Sequence, residues 1–322
     1  MDIIKNILKL KDNIQFNQTL ILSFLLLIWV EVFNLNISYL EIFVTFATVI
    51  LLDLFFIKKN TWNWIFPFSG VNAWFWISFF LRSEDLIIYF FAWLLAIVWK
   101  NVFKINWRHF MNPSNMGVFI TLVLFPQYAW INTLQWWNYS WELSISYIIW
   151  LILVLLLGLF ISNRVKKHFK FDYILTIVLP FLLLHSILFF IIPFYENLSG
   201  YLEFFSISFL IFTFFMLTDP KTVPKNSYSR FLYVISIVLS FYILQFFINE
   251  SYAILGSLFV NTLFLPIIWN LEKKYIEKKS IVFFIFYLIL LILEISLIWY
   301  LILIYWQPDL LFDNVCGQLL CK

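Results

Sequence analysis

The sequence predicts an all-α polytopic membrane protein of ten or eleven transmembrane helices, some of them short or broken, with an internal pseudo-repeat. Three observations carry this. First, 63% of the 322 residues are hydrophobic and only 12% are charged, with a mean hydropathy of +0.92. A soluble domain carries about a quarter charged residues. Second, apolar runs approaching the roughly 20 residues that a helix needs to cross a bilayer recur along the whole chain. Third, Lys and Arg gather in alternate loops, as cytoplasmic loops require.

Residues 1–18 form a basic lead with Lys5, Lys9 and Lys11 among apolar residues. Two readings stand: an amphipathic helix on the lipid surface, or a basic flank that orients the first span. No cleavage pattern of a signal peptide is present, so the first span is expected to stay as an anchor. Spans are expected near 19–33, 40–57, 68–82, 85–104, 113–126, 143–162, 172–194, 200–218, 230–248, 251–270 and 280–306, making 19–306 one transmembrane domain with a tail at 307–322. The third and fifth are short for a bilayer.

The loops fix orientation. Lys58 and Lys59, then Lys100, Lys104 and Arg108, then Arg164, Lys166, Lys167 and Lys170 fall on one side. Lys221, Lys225 and Arg230, then Lys273, Lys274, Lys278 and Lys279 continue the pattern. The opposite loops hold Glu31, Glu41, Glu142, Glu196 and Glu250, with Arg82 as a nearby base. The N-terminus is therefore expected in the cytoplasm, in a bacterial inner membrane. Eleven spans put the C-terminus outside; ten would reverse it. Segment 127–142, rich in Trp and Tyr and lacking any base, is expected at the headgroups of the outer surface. Trp62, Trp64, Trp74 and Trp76 fit a similar role on the other side or along the third span.

Two polar, proline-bearing stretches interrupt this scaffold. One is Arg108-His109-Phe110-Met111-Asn112-Pro113-Ser114-Asn115-Met116-Gly117; the other runs from Phe215 through Thr218-Asp219-Pro220-Lys221-Thr222-Val223 to Pro224. Asn112 suits a helix N-cap and Pro113 the first helical position. Asp219-Pro220 repeats that arrangement. Yet Pro224 follows four residues later, so the backbone from Asp219 to Pro224 must be irregular. Such backbone at membrane depth is tolerated only where protein or a water-filled cavity satisfies it, and paired helix breaks point to a binding site. A helix start favours an anion such as phosphate, with Arg108 or Lys221 to complete it. The charge rule puts both stretches on the cytoplasmic side, which does not fit a simple inverted repeat. Capped spans without a ligand remain the alternative.

Other polar residues fall inside apolar runs. His185 is either a functional intramembrane group or a neutral imidazole bonded to a neighbouring helix. His109 and His168 lie at the cytoplasmic edge rather than at its depth, which argues against paired haem ligands. Glu294 is placed to relay a proton, bind a cation or accept a bond from a neighbour; Asp53 is expected to pair near Lys58 and Lys59, or to snorkel. Cys316 and Cys321, the only cysteines, form a disulfide if extracytoplasmic and stay reduced thiols otherwise; alone they make no four-ligand metal site. The sequence has no phosphate-binding glycine loop, dinucleotide fingerprint or zinc-protease motif. The basic residues are distributed over orienting loops, so no nucleic-acid partner is expected.

The two stretches together resemble the signature segments of the RnfD/NqrB family, the flavin-carrying membrane subunits of Rnf and of Na⁺-pumping NADH:quinone oxidoreductase. Ser69-Gly70, Leu81-Arg82 and Ala96-Ile97-Val98-Trp99-Lys100 are similar in order and spacing to a divergent branch that includes membrane proteins of enediyne clusters. The likeness covers about 60–270. It implies FMN or riboflavin near the two stretches, lined by Asn112, Ser114, Asn115, Thr218, Asp219 and Thr222, with Arg108 and Lys221 against a phosphate. Pro113, Gly117, Pro220 and Pro224 would shape the backbone. It also implies electron transport beside other membrane or flavoprotein subunits. The family attaches FMN to a threonine in Ser-Gly-Ala-Thr; this chain has Ser199-Gly200-Tyr201-Leu202 instead, so a non-covalent or lost flavin is expected. The other readings are a cofactor-free transporter or channel for an ion or small solute, with Asp219, His185 or Glu294 in its path, and a membrane anchor for a biosynthetic partner.

Overall fold

The computed structural model describes residues 13–31, 39–61, 66–105, 108–131, 145–169, 172–191, 207–245, 247–248 and 250–275, together with 285, 289, 292, 293 and 296. Glu294, Cys316, Cys321, the Ser199–Leu202 stretch, Trp62, Trp64 and most of the aromatic segment 127–142 lie outside the described residues. So does residue 1–12 of the basic lead, and with it the choice between its two readings.

The described residues are mostly helical. Helices α1 (Ile14–Glu31), α2 (Tyr39–Thr61), α3 (Phe68–Phe80), α4 (Leu86–Val102), α5 (Pro113–Leu124) and α6 (Ile145–Phe169) come first. A π-helical turn, Ile174–Val178, then runs into α7 (Leu179–Ile191), and α8 (Ile207–Ile211) runs into a second π-helical turn, Phe212–Met216. Helices α9 (Ser227–Gln245), α10 (Glu250–Leu263) and α11 (Leu265–Tyr275) follow. Among the described residues two helices, α2 and α9, are long and apolar enough to cross a membrane, or three spans result if α10 and α11 count as one bent pair. This marks the chain as a membrane protein.

The core forms around α3. Its residues from Gly70 to Phe80 are all buried, as expected of a helix that is apolar on every side. It packs against α1, α2, α4 and α5. At 13 residues it rises only about 20 Å, short of the roughly 30 Å hydrocarbon thickness. Helix α5, with 12 residues, is shorter still. Trp74 and Trp76, at 2% and 3% exposure, belong to this core and not to a headgroup belt. Trp74 Nε1 donates to Thr45 Oγ1 at 2.8 Å, so its polar tip is satisfied inside the protein.

Two glycines permit the close approaches. A Cβ on Gly117 would collide with the Ala92 carbonyl oxygen, so α4 and α5 meet backbone to backbone. A Cβ on Gly70 would collide with the Asp53 carboxylate. Asp53 is fully buried. It pairs with Lys100 Nζ at 2.7 Å and accepts from Asn101 Nδ2 at 3.2 Å.

Three expectations are corrected. Helix α1 starts at Ile14, within the lead assigned to 1–18, because Asn13 Oδ1 accepts from the Gln15 and Phe16 amides and so caps a helix there. The span at 251–270 is two helices bent by 45°; Pro266 at the start of α11 has no amide to donate back to α10. The two polar stretches are not equivalent either. The first begins a helix, whereas the second ends one and stays irregular to Asn226.

Replacing Gly117 with valine should lower stability by about 1–3 kcal/mol through overpacking, read as a fall in thermal unfolding midpoint of the purified protein. Asp53→Ala, which leaves Lys100 buried and unpaired, should cost about 3–5 kcal/mol, and the double change Asp53→Leu with Lys100→Met should recover most of it.

Candidate functional site

The site is built on the first polar stretch. Asn112, extended at φ −65° and ψ 119°, accepts the Ser114 and Asn115 amides on its side-chain oxygen, and Pro113 opens α5. This is the cap that Asn-Pro spacing predicts. Upstream, β1 (Leu81–Arg82) pairs with β4 (Trp130–Ile131), and β2 (Lys104–Ile105) pairs antiparallel with β3 (Arg108–His109). Successive strand side chains point to opposite faces. Arg108 turns one way, stacking over Trp269 of α11 at 4.6 Å. His109 turns the other way, toward a cavity.

The second stretch lies directly against the first. Arg108 Nη2 donates to the carbonyls of Pro220 and Lys221 at 2.8 and 3.0 Å. Asn112 Nδ2 reaches the Met216 carbonyl at 3.5 Å, a long bond. His109 Nε2 faces Asp219 Oδ2 at 3.7 Å. Asp219 does not cap a helix, as Asp219-Pro220 had suggested. Its Oδ1 accepts from the Lys221 amide at 3.0 Å and its carbonyl from the Thr222 amide, closing a tight turn. The helix restarts only at Ser227, where Asn226 Oδ1 accepts from the Tyr228 amide at 2.9 Å. Glu272 of α11 accepts the Lys225 and Asn226 amides and holds the end of the turn.

Between the two stretches is a cavity of about 490 Å³, within the range of small-molecule sites. From the first stretch, His109, Asn112, Pro113 and Ser114 line it; from the second, Phe215, Thr218, Asp219, Pro220 and Lys221. Trp76, Phe214 and Phe215 make an aromatic wall, with the Trp76 and Phe215 rings 5.3 Å apart. The lining also includes amides and hydroxyls on α1 and α3, among them Gln15, Gln18, Ser69 and Asn72. These are stitched together: Thr19 Oγ1 donates to Asn72 Oδ1 at 2.6 Å, and Asn72 Nδ2 donates to the Gln15 carbonyl and Gln18 Oε1, both at 3.2 Å.

Burial pushes the Asp219 carboxyl upward, but His109 and the Lys221 amide and ammonium outweigh it and hold it below the usual range. Burial pushes the His109 imidazole down, and Lys221 and Lys100 act in the same sense against Asp219. The pair at rest is therefore a neutral imidazole beside a carboxylate.

Of the residues expected at a cofactor, Asn112, Ser114, Thr218, Asp219 and Lys221 line the cavity and Arg108, Asn115 and Thr222 do not. Arg108 is engaged with backbone carbonyls. Asn115 Nδ2 donates to the Leu255 carbonyl of α10 at 3.1 Å. Thr222 Oγ1 turns back to the Asp219 carbonyl. Pro224 is buried outside the cavity lining. His185 is also absent from the lining; it is fully buried among Phe181, Phe209, Phe241 and Tyr242, whose hydroxyl donates to the His185 carbonyl. Sequence reasoning missed Trp76, Gln15, Gln18, Asn72 and the role of Trp269. Their only signal was polar or aromatic residues within apolar helices, where nothing local requires them.

The chain matches no family model and no curated protein.

Arg108→Lys keeps the charge but not the planar donor fork, and should cost about 1.5–3 kcal/mol as the bonds to two carbonyls weaken. Asn112→Ala should cost about 1 kcal/mol through the lost cap. Thermal unfolding followed by tryptophan fluorescence reads both; an Arg108→Lys protein as stable as the parent would show the two carbonyl bonds to be dispensable.

Proposed function

We propose that the chain is an integral membrane subunit of the RnfD/NqrB kind that holds a flavin, FMN or riboflavin, non-covalently between its two polar stretches. One observation carries this reading: stretches about a hundred residues apart in sequence face each other across one cavity that has an aromatic wall and a polar edge. The residues present fit a planar, polar-edged ring. Trp76, Phe214 and Phe215 offer stacking surface, and Ser114, Thr218, Gln18 and Asn72 offer hydrogen-bonding groups along its edge. Lys221, in the cavity lining, would face a phosphate.

A bound flavin supplies an electron carrier that accepts one or two electrons. The chain's own residues bind it, orient it and keep it out of the lipid. The Arg108 clamp holds the second stretch at a set distance from α5, so the cavity keeps its width. Beyond the two or three spanning helices, the reading includes ten or eleven crossings with the N-terminus in the cytoplasm. The cavity then opens on the cytoplasmic side, in reach of reductase or flavoprotein subunits.

Protein purified in mild detergent should release flavin on acid precipitation, or bind added FMN or riboflavin with quenching of flavin fluorescence by Trp76. Trp76→Leu should relieve that quenching and weaken binding by roughly tenfold, the loss of about 1.4 kcal/mol of stacking. The absence of both released flavin and binding of either added flavin would sink the reading. In that case, solute flux in proteoliposomes without a redox partner would identify a transporter.

A further inference from the structure

We propose that His109 and Asp219 couple ligand binding in this cavity to proton uptake, so that an anionic occupant enters together with one proton on the His109 imidazole. This rests on the flavin reading above. Among the described residues the cavity lining holds three ionisable side chains, His109, Asp219 and Lys221. With the imidazole neutral, the carboxylate and the ammonium cancel, and nothing is left over for a phosphate. Arg108 is not in the cavity lining, and its guanidinium is turned to the Pro220 and Lys221 carbonyls, so its charge acts on the cavity only from behind that loop. Among the described residues His109 is the one lining group that can gain a positive charge, and it already sits 3.7 Å from Asp219.

The charged groups around the pair set the balance. His109 feels Asp219 and Lys221 from the irregular loop and Lys100 from α4. Asp219 also feels Arg108 from β3 and Tyr173 beside the first π-helical turn. In the free protein, burial and the two lysines keep the imidazole neutral at neutral pH. A phosphate beside it adds negative charge and raises its affinity for a proton. Between the free and the bound titration midpoints, binding takes up a proton. Affinity for the anion therefore rises as pH falls through that window, by at most about tenfold per pH unit for one proton. Above the window the imidazole stays neutral and the coupling disappears. A flavin without phosphate brings no such charge.

The test is calorimetric titration of the full chain in lipid nanodiscs with FMN and with riboflavin, each in two buffers of different ionisation heat near neutral pH. FMN should bind with uptake approaching one proton per flavin, and riboflavin with essentially none. His109→Gln should bind FMN without that uptake and about tenfold more weakly near neutral pH, the equivalent of one pKa unit. The phosphate's own titration persists in this variant and serves as its baseline. Asp219→Asn keeps the oxygen that accepts the Lys221 amide but removes the opposing charge, so it should bind FMN more tightly and raise the preference for FMN over riboflavin. A merely structural role for either residue predicts weaker binding of both flavins. FMN binding without proton uptake, uptake that survives His109→Gln, or weaker FMN binding by Asp219→Asn would each overturn the coupling while leaving the flavin site standing. Binding of neither flavin would remove the flavin reading, and the coupling with it.

Discussion

The structure depends on how broken backbone is satisfied inside an apolar bundle. Between Met216 and Ser227 the chain leaves its helix, and two prolines prevent it from resuming. Carbonyls freed by that break have few water partners, and each unsatisfied one is costly. Arg108 answers two of them, those of Pro220 and Lys221, and Asn112 reaches a third at Met216. Glu272 takes the exposed amides at the other end of the loop. The loop is thus held by side chains from β3, α5 and α11. The cavity is the space left where that loop cannot pack as a helix would.

This division of labour explains why the polar stretches contain more polarity than the cavity uses. Arg108, Asn115 and Thr222 look like ligand-binding residues by type but serve the backbone and neighbouring helices. Ser114, Thr218, Asp219, Lys221 and His109 remain at the cavity. The same economy holds for Asn112, whose oxygen caps α5 while its nitrogen turns to the π-helical turn. A π-helical turn ends at Met216, immediately before the break, which accords with the frequent placement of such turns at functional positions.

Around this centre, close packing and paired charge set the helix positions. Gly117 lets α5 lie on α4, and Gly70 lets α3 lie on the Asp53 carboxylate. The Asp53–Lys100 pair joins α2 to α4 deep in the protein, where an unpaired member would be strongly unfavourable. Arg82, buried at the end of α3, donates Nη1 to the Ser78 and Leu81 carbonyls, both at 2.6 Å. It acts as a C-cap from within the chain. Buried charges in this protein thus tie helices and helix ends together.

Much was legible in the sequence by itself. Apolar runs and basic loops determined a helical membrane protein, because a bilayer demands both. Asn112-Pro113 determined a capped helix start, and Pro220 with Pro224 determined irregular backbone, because proline's ring and missing amide act locally. The shortness of α3 and α5 was equally visible. Tertiary structure alone decided the rest. Asp219-Pro220 resembles Asn112-Pro113 in sequence, yet one ends in a turn and the other begins a helix, since the partners of the carbonyls differ. That Asp53 meets Lys100, that Arg108 grips Pro220 and Lys221, and that Trp76 and Asn72 complete the cavity wall are long-range choices. They follow from which surfaces pack, and no local pattern records a contact between residues a hundred positions apart.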